Sequence, residues 1–222
     1  MQYMGIKKKF LLKIISLLVL CMIIGTVLFF RIFPSFGIDI EKNYKQINYL
    51  NISPDIYLRQ TVNNCAPYAV MAAINILKGK IVDPEELAEE TDWRMIKNLT
   101  FPQGLINLLH KYEIKTKEYG LRFYKSDEKI NWLKNQIDNR FPVILLVKVK
   151  HIQHYFTIVG YDAGGFMIYD SLQEKISPES RQTQTDNKDY AGNRYYKQDE
   201  LISLWNDGGY LLGFRNWAVV CY

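Results

Sequence analysis

An apolar run near the N-terminus constrains this chain more than any other feature of its sequence. From Ile14 to Phe30 the sequence reads IISLLVLCMIIGTVLFF, seventeen residues without a charge. With Phe10 to Lys13, whose lysine can extend to the interface, a helix of this run crosses a hydrocarbon core of about 30 Å. No small-residue cleavage site follows the run. It therefore predicts an uncleaved transmembrane helix, with a cleaved signal peptide as the alternative.

The charges around this run predict its orientation. Four lysines lie between Lys7 and Lys13, and a single arginine, Arg31, follows the apolar residues. By the positive-inside rule the N-terminus is cytoplasmic and the rest of the chain lies outside. We therefore expect a single-pass protein of the cell membrane. Residues 1–33 would be its N-terminus and anchor, 34–49 a linker and 50–222 a folded extracytoplasmic domain.

The composition of the remaining chain favours a globular domain that does not bind nucleic acid. Hydrophobic residues make up 48% of the sequence, which has only 13 glycines and 7 prolines, and this excludes wholesale disorder. The net charge is +5 at pH 7, but residues 1–33 hold five basic residues and no acidic one. The rest therefore has equal numbers of basic and acidic side chains, and no cationic excess to bind phosphates.

The order of the predicted elements indicates an α+β fold. A helix is predicted from Cys65 to Lys78, capped at its start by Asn63 or Asn64 and ended by Gly79. Further helices are predicted to begin at Asp83 and to cover 104–112, 126–139 (with Ser126 as cap) and 197–206; strands are predicted at 143–149, 154–161, 165–170 and 210–222, and a long surface loop at 171–196. Helices that precede antiparallel strands are typical of α+β proteins.

The predicted helix places the thiol of Cys65 where it can react. Unpaired amide groups and the dipole at a helix N-terminus favour the thiolate, which is the nucleophilic form of cysteine. Gln60, on the preceding loop, carries an amide that can donate beside the Cys65 N–H, and two such donors bind the oxyanion of a tetrahedral intermediate. The alternatives are a cysteine that only packs the helix end and a disulfide between Cys65 and Cys221.

A histidine and an aspartate on two neighbouring predicted strands supply the base that such a thiol needs. His154 begins one strand and Asp170 ends the next. A carboxylate beside an imidazole holds the ring in the required tautomer. If Tyr161 pairs with Phe166, Asp170 falls opposite Thr157, so a bulge, or a bend at His154, is required to bring His154 and Asp170 together.

The histidines do not predict a metal site. A spacing of three along a strand puts the rings of His151 and His154 on opposite faces. A third ligand would have to come from His110 on a distant helix. We therefore expect no metal and no other cofactor.

Taken together, these segments resemble a known family. Gln60, the run NNCAPYAVMAAINIL around Cys65, HYFTIVGYD from His154 and IYDSL around Asp170 are similar to the bacteriocin-processing, or double-glycine leader, peptidases, cysteine peptidase family thirty-nine of the papain-like superfamily. The resemblance implies a papain-like fold and peptide-bond hydrolysis, with Cys65 as nucleophile and His154 as base. Asp170 would orient His154, and Gln60 would complete the oxyanion hole. The implied substrate is a peptide or protein. The resemblance leaves open whether a transporter is a partner.

Two positions depart from the family pattern. Ala66 stands where glycine usually follows the nucleophile, and Ser171 replaces the proline that commonly follows the aspartate. Two other functions stay open: a catalytically inactive papain-like module for binding or immunity at the membrane, and a thiol amidase or transferase that acts on the cell wall. The resemblance carries over the catalytic residues but not the substrate.

Overall fold

The protein consists of an N-terminal helix and a domain in which helices pack against an antiparallel sheet. The computed structural model describes residues 2–32, 38, 45–187, 189–210 and 214–222, and it divides into two compact units, Met1–Pro34 and Ser35–Tyr222. The predicted limits of the anchor, linker and domain stay predictions.

Helix α1 (Gln2–Ile32) forms the first unit. Its large apolar side chains from Phe10 to Ile24 are exposed, each by 41% or more. Within the described residues, no helix combines the length and the apolar character needed to cross a membrane, so the predicted transmembrane helix is not supported. The side chains at 27–30 and most of the predicted linker, 34–49, lie outside the described residues.

The described part of the second unit contains five α-helices and seven strands. In chain order they are β1 (Asn48–Tyr49), α2 (Cys65–Lys78), α3 (Pro84–Glu90), α4 (Pro102–Lys111), β2 (Thr116–Gly120), α5 (Ser126–Asp138), β3 (Val143–Val149), β4 (Ile152–Tyr161), β5 (Gly165–Tyr169), β6 (Arg194–Lys197), α6 (Gln198–Asp207) and β7 (Trp217–Cys221). The strands form one antiparallel sheet in the order β2-β7-β3-β4-β5-β6, and β1 pairs with β4. The predicted α+β fold is confirmed.

The structure confirms the predicted helices of this unit and moves some of their ends. α2 begins at Cys65, and Gly79 ends it in the left-handed conformation, with φ of 65°. The prediction that Ser126 caps α5 was wrong, because Ser126 is already the first residue of the helix. The N-cap is the preceding residue, Lys125. Its backbone N–H donates to the Glu128 carboxylate at 2.7 Å.

Three strands escaped the sequence analysis: β2, β6 and the two-residue β1, which lies in the predicted linker. β2 lies at one edge of the sheet, and β6, at the other edge, covers the end of the segment predicted as a long loop and the first residue of the predicted helix after it. Edge strands are half exposed and polar, so they lack the apolar run that marked the central strands. The strand predicted at 210–222 covers only Trp217–Cys221, and residues 211–213 lie outside the described residues.

A bulge in β4 sets the register between β4 and β5. Tyr161 pairs with Phe166, and the register shifts just before Gly160, where Val159 is the extra residue. β1 approaches this point so closely that a Cβ at Gly160 would lie 2.7 Å from the Cβ of Tyr49. Glycine is therefore required beside the bulge.

The bulge decides which face of the sheet carries Asp170. In the observed register Thr157 pairs with the last residue of β5, so Asp170 lies opposite Phe156. Because side chains alternate along a strand, Asp170 then shares a face with His154. Pairing with Thr157 would have put Asp170 on the other face. The bulge that the sequence analysis required is present, in the middle of β4 rather than at His154.

Helices cover both faces of the central strands. α2 packs against β4, where the Thr157 hydroxyl donates to the backbone carbonyl of Ala69 at 3.2 Å. On the other face, Phe156 joins a buried cluster with Trp132 of α5 and Trp205 of α6. This core holds β4 and β5 in place, and with them His154 and Asp170.

We expect Trp205→Ala to lower the free energy of unfolding by about 3–5 kcal/mol. Trp205 is fully buried, its ring stacks on Trp132 at 6.3 Å between centroids, and its Nε1–H donates to the Trp217 carbonyl at 2.9 Å. Urea denaturation of the full chain measures the change, with the exposed Ile176→Ala as the control. A loss no larger than that of the control would contradict this role for Trp205.

Candidate active site

Cys65 lies at the start of α2 with its side chain almost fully buried, 3% exposed. The first N–H groups of a helix have no partner within the helix, so the Cys65 N–H is available to a ligand. Cys65 and Cys221 are both free thiols, so the structure does not contain the alternative disulfide. Cys221 lies in β7, where burial raises the pKa of its thiol.

The loop that leads into Cys65 is held by a carboxylate of α3. Asn64, predicted as a helix cap, makes no side-chain hydrogen bond to the helix backbone. Its amide donates instead to Glu85 at 3.1 Å, and the hydroxyls of Tyr68 and Thr61 donate to the same carboxylate at 2.7 and 3.1 Å. Glu85 therefore ties the loop and the first turn of α2 to α3.

Arg94 brings a positive charge close to the N-terminus of α2. Its guanidinium donates to Asn64 Oδ1 at 2.6 Å and to Thr100 Oγ1 at 3.3 Å. Burial lowers the pKa of Arg94, while the charges of Cys65 and Glu85 oppose that shift. Arg94 therefore joins Asn64, the residue before Cys65, to Thr100.

His154 connects Cys65 to Asp170. Its Nε2 lies 2.8 Å from Asp170 Oδ1, and both side chains are buried, 1% and 0% exposed. Burial alone would lower the pKa of His154, but the charge and hydrogen bond of Asp170, together with a hydrogen bond to Cys65, raise it to about 9. Since Nε2 is used by Asp170, Nδ1 is the ring nitrogen that remains for the thiol.

The backbone and side chain of Asp170 are both fixed. The Asn193 amide group replaces a strand partner beyond the end of β5: its Oδ1 accepts from the Asp170 N–H at 2.8 Å, and its Nδ2 donates to the Asp170 carbonyl at 2.9 Å. The Leu172 N–H donates to Asp170 Oδ1 at 2.8 Å. Arg194 Nε lies 3.8 Å from Oδ2. Burial raises the pKa of Asp170, but His154, the Leu172 N–H and Arg194 together hold it below its ordinary value.

Gln60 is attached to the residue that follows Asp170. Its backbone N–H donates to the Ser171 carbonyl at 2.9 Å, and its side-chain oxygen accepts from the Ser171 hydroxyl at 2.6 Å. The loop that carries Gln60 therefore lies beside the end of β5.

The structure thus groups the residues selected from the sequence. Cys65 contacts His154, His154 contacts Asp170, and Gln60 is joined to this group through Ser171. In the part of the chain that the structure describes, no three His, Cys, Asp or Glu side chains gather as a metal site, and His151 is exposed in the turn before β4.

Sequence reasoning missed four residues that hold this group in place, Glu85, Arg94, Asn193 and Arg194. Glu85 was recognised only as an acid in the first turn of a helix. Asn193 and Arg194 lie in the segment predicted as a loop, and no local pattern connects them to Asp170, 23 and 24 residues earlier in the chain.

A buried cysteine at a helix N-terminus, next to a histidine that is bonded to an aspartate, is typical of thiol hydrolases. Residues 42–201 match the model of the Peptidase_C39 like family. The chain belongs to this family of peptidases, as the resemblance implied. Among curated proteins, none matches the chain.

Several solved structures are similar to this one. They include a C39-like peptidase from Bacillus anthracis, with 13% identity, coverage of 78% of this chain and 97% of that chain, and a TM-score of 0.49. The peptidase domain of Streptococcus ComA, a bifunctional ABC transporter involved in a quorum-sensing pathway, has 15% identity, coverage of 74% and 95%, and a TM-score of 0.46. Recombinant stem bromelain precursor has 7% identity, coverage of 79% and 70%, and a TM-score of 0.46. Family membership rests on the sequence match.

The raised pKa of His154 predicts that the protein loses stability in mild alkali. Folding raises this pKa from 6.5 to about 9. The resulting stabilisation is complete below pH 6.5 and is lost as the pH rises through 9. We expect the free energy of unfolding, measured in urea, to fall between pH 6.5 and 9.5, and to fall less in Asp170→Asn, which lacks the partner charge. The exposed His151→Ala should keep the wild-type slope; equal slopes for Asp170→Asn and wild type would contradict the assignment.

Proposed function

We propose that this protein is a cysteine peptidase in which Cys65 is the nucleophile and His154 transfers protons. Asp170 orients His154, and Gln60 with the Cys65 N–H forms the oxyanion hole. The observation that carries the proposal is the buried series from Cys65 through His154 to Asp170, in a chain that belongs to a peptidase family.

In the resting enzyme His154 is the positive partner of the Cys65 thiolate. With a pKa of about 9, the ring keeps its second proton at pH 7. Its Nε2–H donates to Asp170 and its Nδ1–H faces the sulfur. An imidazolium and a helix N-terminus together stabilise the thiolate, and this prepares the nucleophile before substrate binds.

Hydrolysis then follows in two halves. The Cys65 thiolate attacks the carbonyl carbon of the peptide bond, and the charge that moves to the carbonyl oxygen is bound by the Cys65 N–H and the Gln60 amide. His154 gives its proton to the leaving amine as the C–N bond breaks, and a thioester remains on Cys65. Neutral His154 next takes a proton from water, the resulting hydroxide attacks the thioester, and the acid product leaves the regenerated thiolate.

Peptides or proteins are the proposed substrates, because the family is one of peptidases. The resemblance to leader peptidases adds a peptide transporter as a candidate partner. The chemistry itself needs no metal or cofactor, since the thiolate, the imidazolium and the two N–H donors perform every step.

The activated thiol is tested by alkylation with iodoacetamide between pH 5 and 9 in a Cys21→Ser chain, which leaves two thiols. We expect Cys65 to react quickly even below pH 7, while Cys221, buried in β7, stays unmodified. His154→Ala should slow the reaction of Cys65 at pH 6 by at least about tenfold, because the cation that stabilises the thiolate is lost. Mass spectrometry locates the modified residue.

Alkylation of Cys65 that is unchanged in His154→Ala would overturn the proposal. It would leave the chain as a papain-like binding module. A peptide library digested with wild type and with Cys65→Ala then identifies the bonds that are cleaved, and cleavage that persists in Cys65→Ala would come from a contaminating protease.

We further propose that the protein resides at a membrane, with residues 50–222 on the extracytoplasmic side. The proposal is supported by the exposed apolar side chains of α1 between Phe10 and Ile24, and by the lysines that precede them. Contiguous exposed apolar surface marks an interaction with a membrane or a partner.

We expect the full chain to float with phosphatidylglycerol–phosphatidylcholine vesicles in a density gradient. A variant with Leu17, Leu18 and Ile23 changed to Ser should remain at the bottom, since its apolar surface is interrupted. A variant with the exposed Val62, Ile96 and Ile176 changed to Ser is the control for lost apolar surface elsewhere. Equal flotation of wild type and the helix variant would contradict the membrane location.

A further inference from the structure

One residue, Ser171, bonds both the backbone N–H and the side-chain oxygen of Gln60. The Gln60 backbone N–H donates to the Ser171 carbonyl at 2.9 Å, and the Ser171 hydroxyl donates to Gln60 Oε1 at 2.6 Å. Ser171 is buried, with 2% exposed, so water does not compete for its hydroxyl.

These contacts fix how the Gln60 amide is presented. The oxygen of the amide is occupied by Ser171, and among the hydrogen bonds of the described residues the Gln60 side chain makes no other. Both hydrogens of Nε2 therefore remain for an oxyanion. A glutamine side chain that is free to rotate loses free energy when it is ordered, and a preformed hydrogen bond removes that cost before substrate binds.

We propose that Ser171 is a positioning residue that holds the Gln60 amide in the orientation in which Nε2 stabilises the oxyanion. This inference rests on the proposed function. Ser171 follows Asp170 directly, so one short segment orients both the histidine, through the carboxylate, and the oxyanion donor, through the hydroxyl. The hydroxyl performs this task at a position where the leader peptidases commonly have proline.

Two reactions of the same thiol separate this role from a general effect on Cys65. With p-nitrophenyl acetate, the thiolate attacks the carbonyl carbon, the charge passes through an oxyanion, and p-nitrophenolate leaves an acetyl thioester that water hydrolyses to acetate. With iodoacetamide, the thiolate displaces iodide from a saturated carbon, and no oxyanion forms. Only the first reaction needs the Gln60 amide, and neither reagent requires the natural substrate to be known.

Rates of both reactions are measured on the full chain carrying Cys21→Ser, with mass spectrometry confirming modification at Cys65. We expect S171A to slow acetylation about tenfold while alkylation is unchanged, and Q60A to slow acetylation about 100-fold. S171T, which keeps the hydroxyl, should restore the wild-type ratio of acetylation to alkylation. In the double variant, S171A should add nothing to Q60A, because the residue it positions is gone. The exposed S203A is the matched serine control and should leave both rates unchanged.

Three results would overturn the inference. Equal acetylation in S171A and wild type, additive losses in the double variant, or a parallel loss of both reactions in S171A would each show that Ser171 does not act through Gln60. These results leave the peptidase proposal intact, as long as alkylation of wild-type Cys65 depends on His154. Wild-type Cys65 that is neither acetylated nor activated by His154 would overturn the proposed function, and the inference with it.

Discussion

The hydrogen bond between His154 and Asp170 is the interaction on which the rest of this site depends. Two ionisable side chains without contact to water are tolerated only when the charge of each is compensated by its neighbours. The partners come from several parts of the chain: the Leu172 N–H from the next turn, Arg194 from β6, and Cys65 from α2. Removing any one of them leaves a buried charge less well compensated, so stability and chemistry are coupled at this point.

Local signals in the sequence were sufficient for the elements that carry the reactive groups. Gly79 ended the helix of Cys65 in the left-handed conformation that its lack of a side chain allows, and the apolar runs of β3 and β4 marked central strands. The need for an irregularity between His154 and Asp170 also followed from counting pairs. The position of the bulge at Val159 did not follow from the sequence. It lies where β1 closely approaches Gly160, and no local pattern predicts that contact.

The residues that hold the site in place were beyond sequence reasoning for a related reason. Glu85 lies 20 residues from Cys65, and its helix offered an ordinary acidic first turn. β2 and β6 are edge strands with mixed polarity. β6 carries Arg194, whose Nε lies close to the Asp170 carboxylate. Only Ser171 gave a signal, as a departure from the family pattern. At that position the Ser171 hydroxyl donates to Gln60.

The extra residue in β4 has a consequence for how such sites are recognised in other chains. A bulge is a place where a strand holds one residue more than its partner, so losing that residue leaves the cross-strand pairs on either side intact. A chain whose aspartate lies fifteen positions after its histidine, instead of the sixteen found here, can therefore build the same buried pair on a regular hairpin. A search that demands one fixed interval would reject it, although the two imidazole–carboxylate contacts would superimpose.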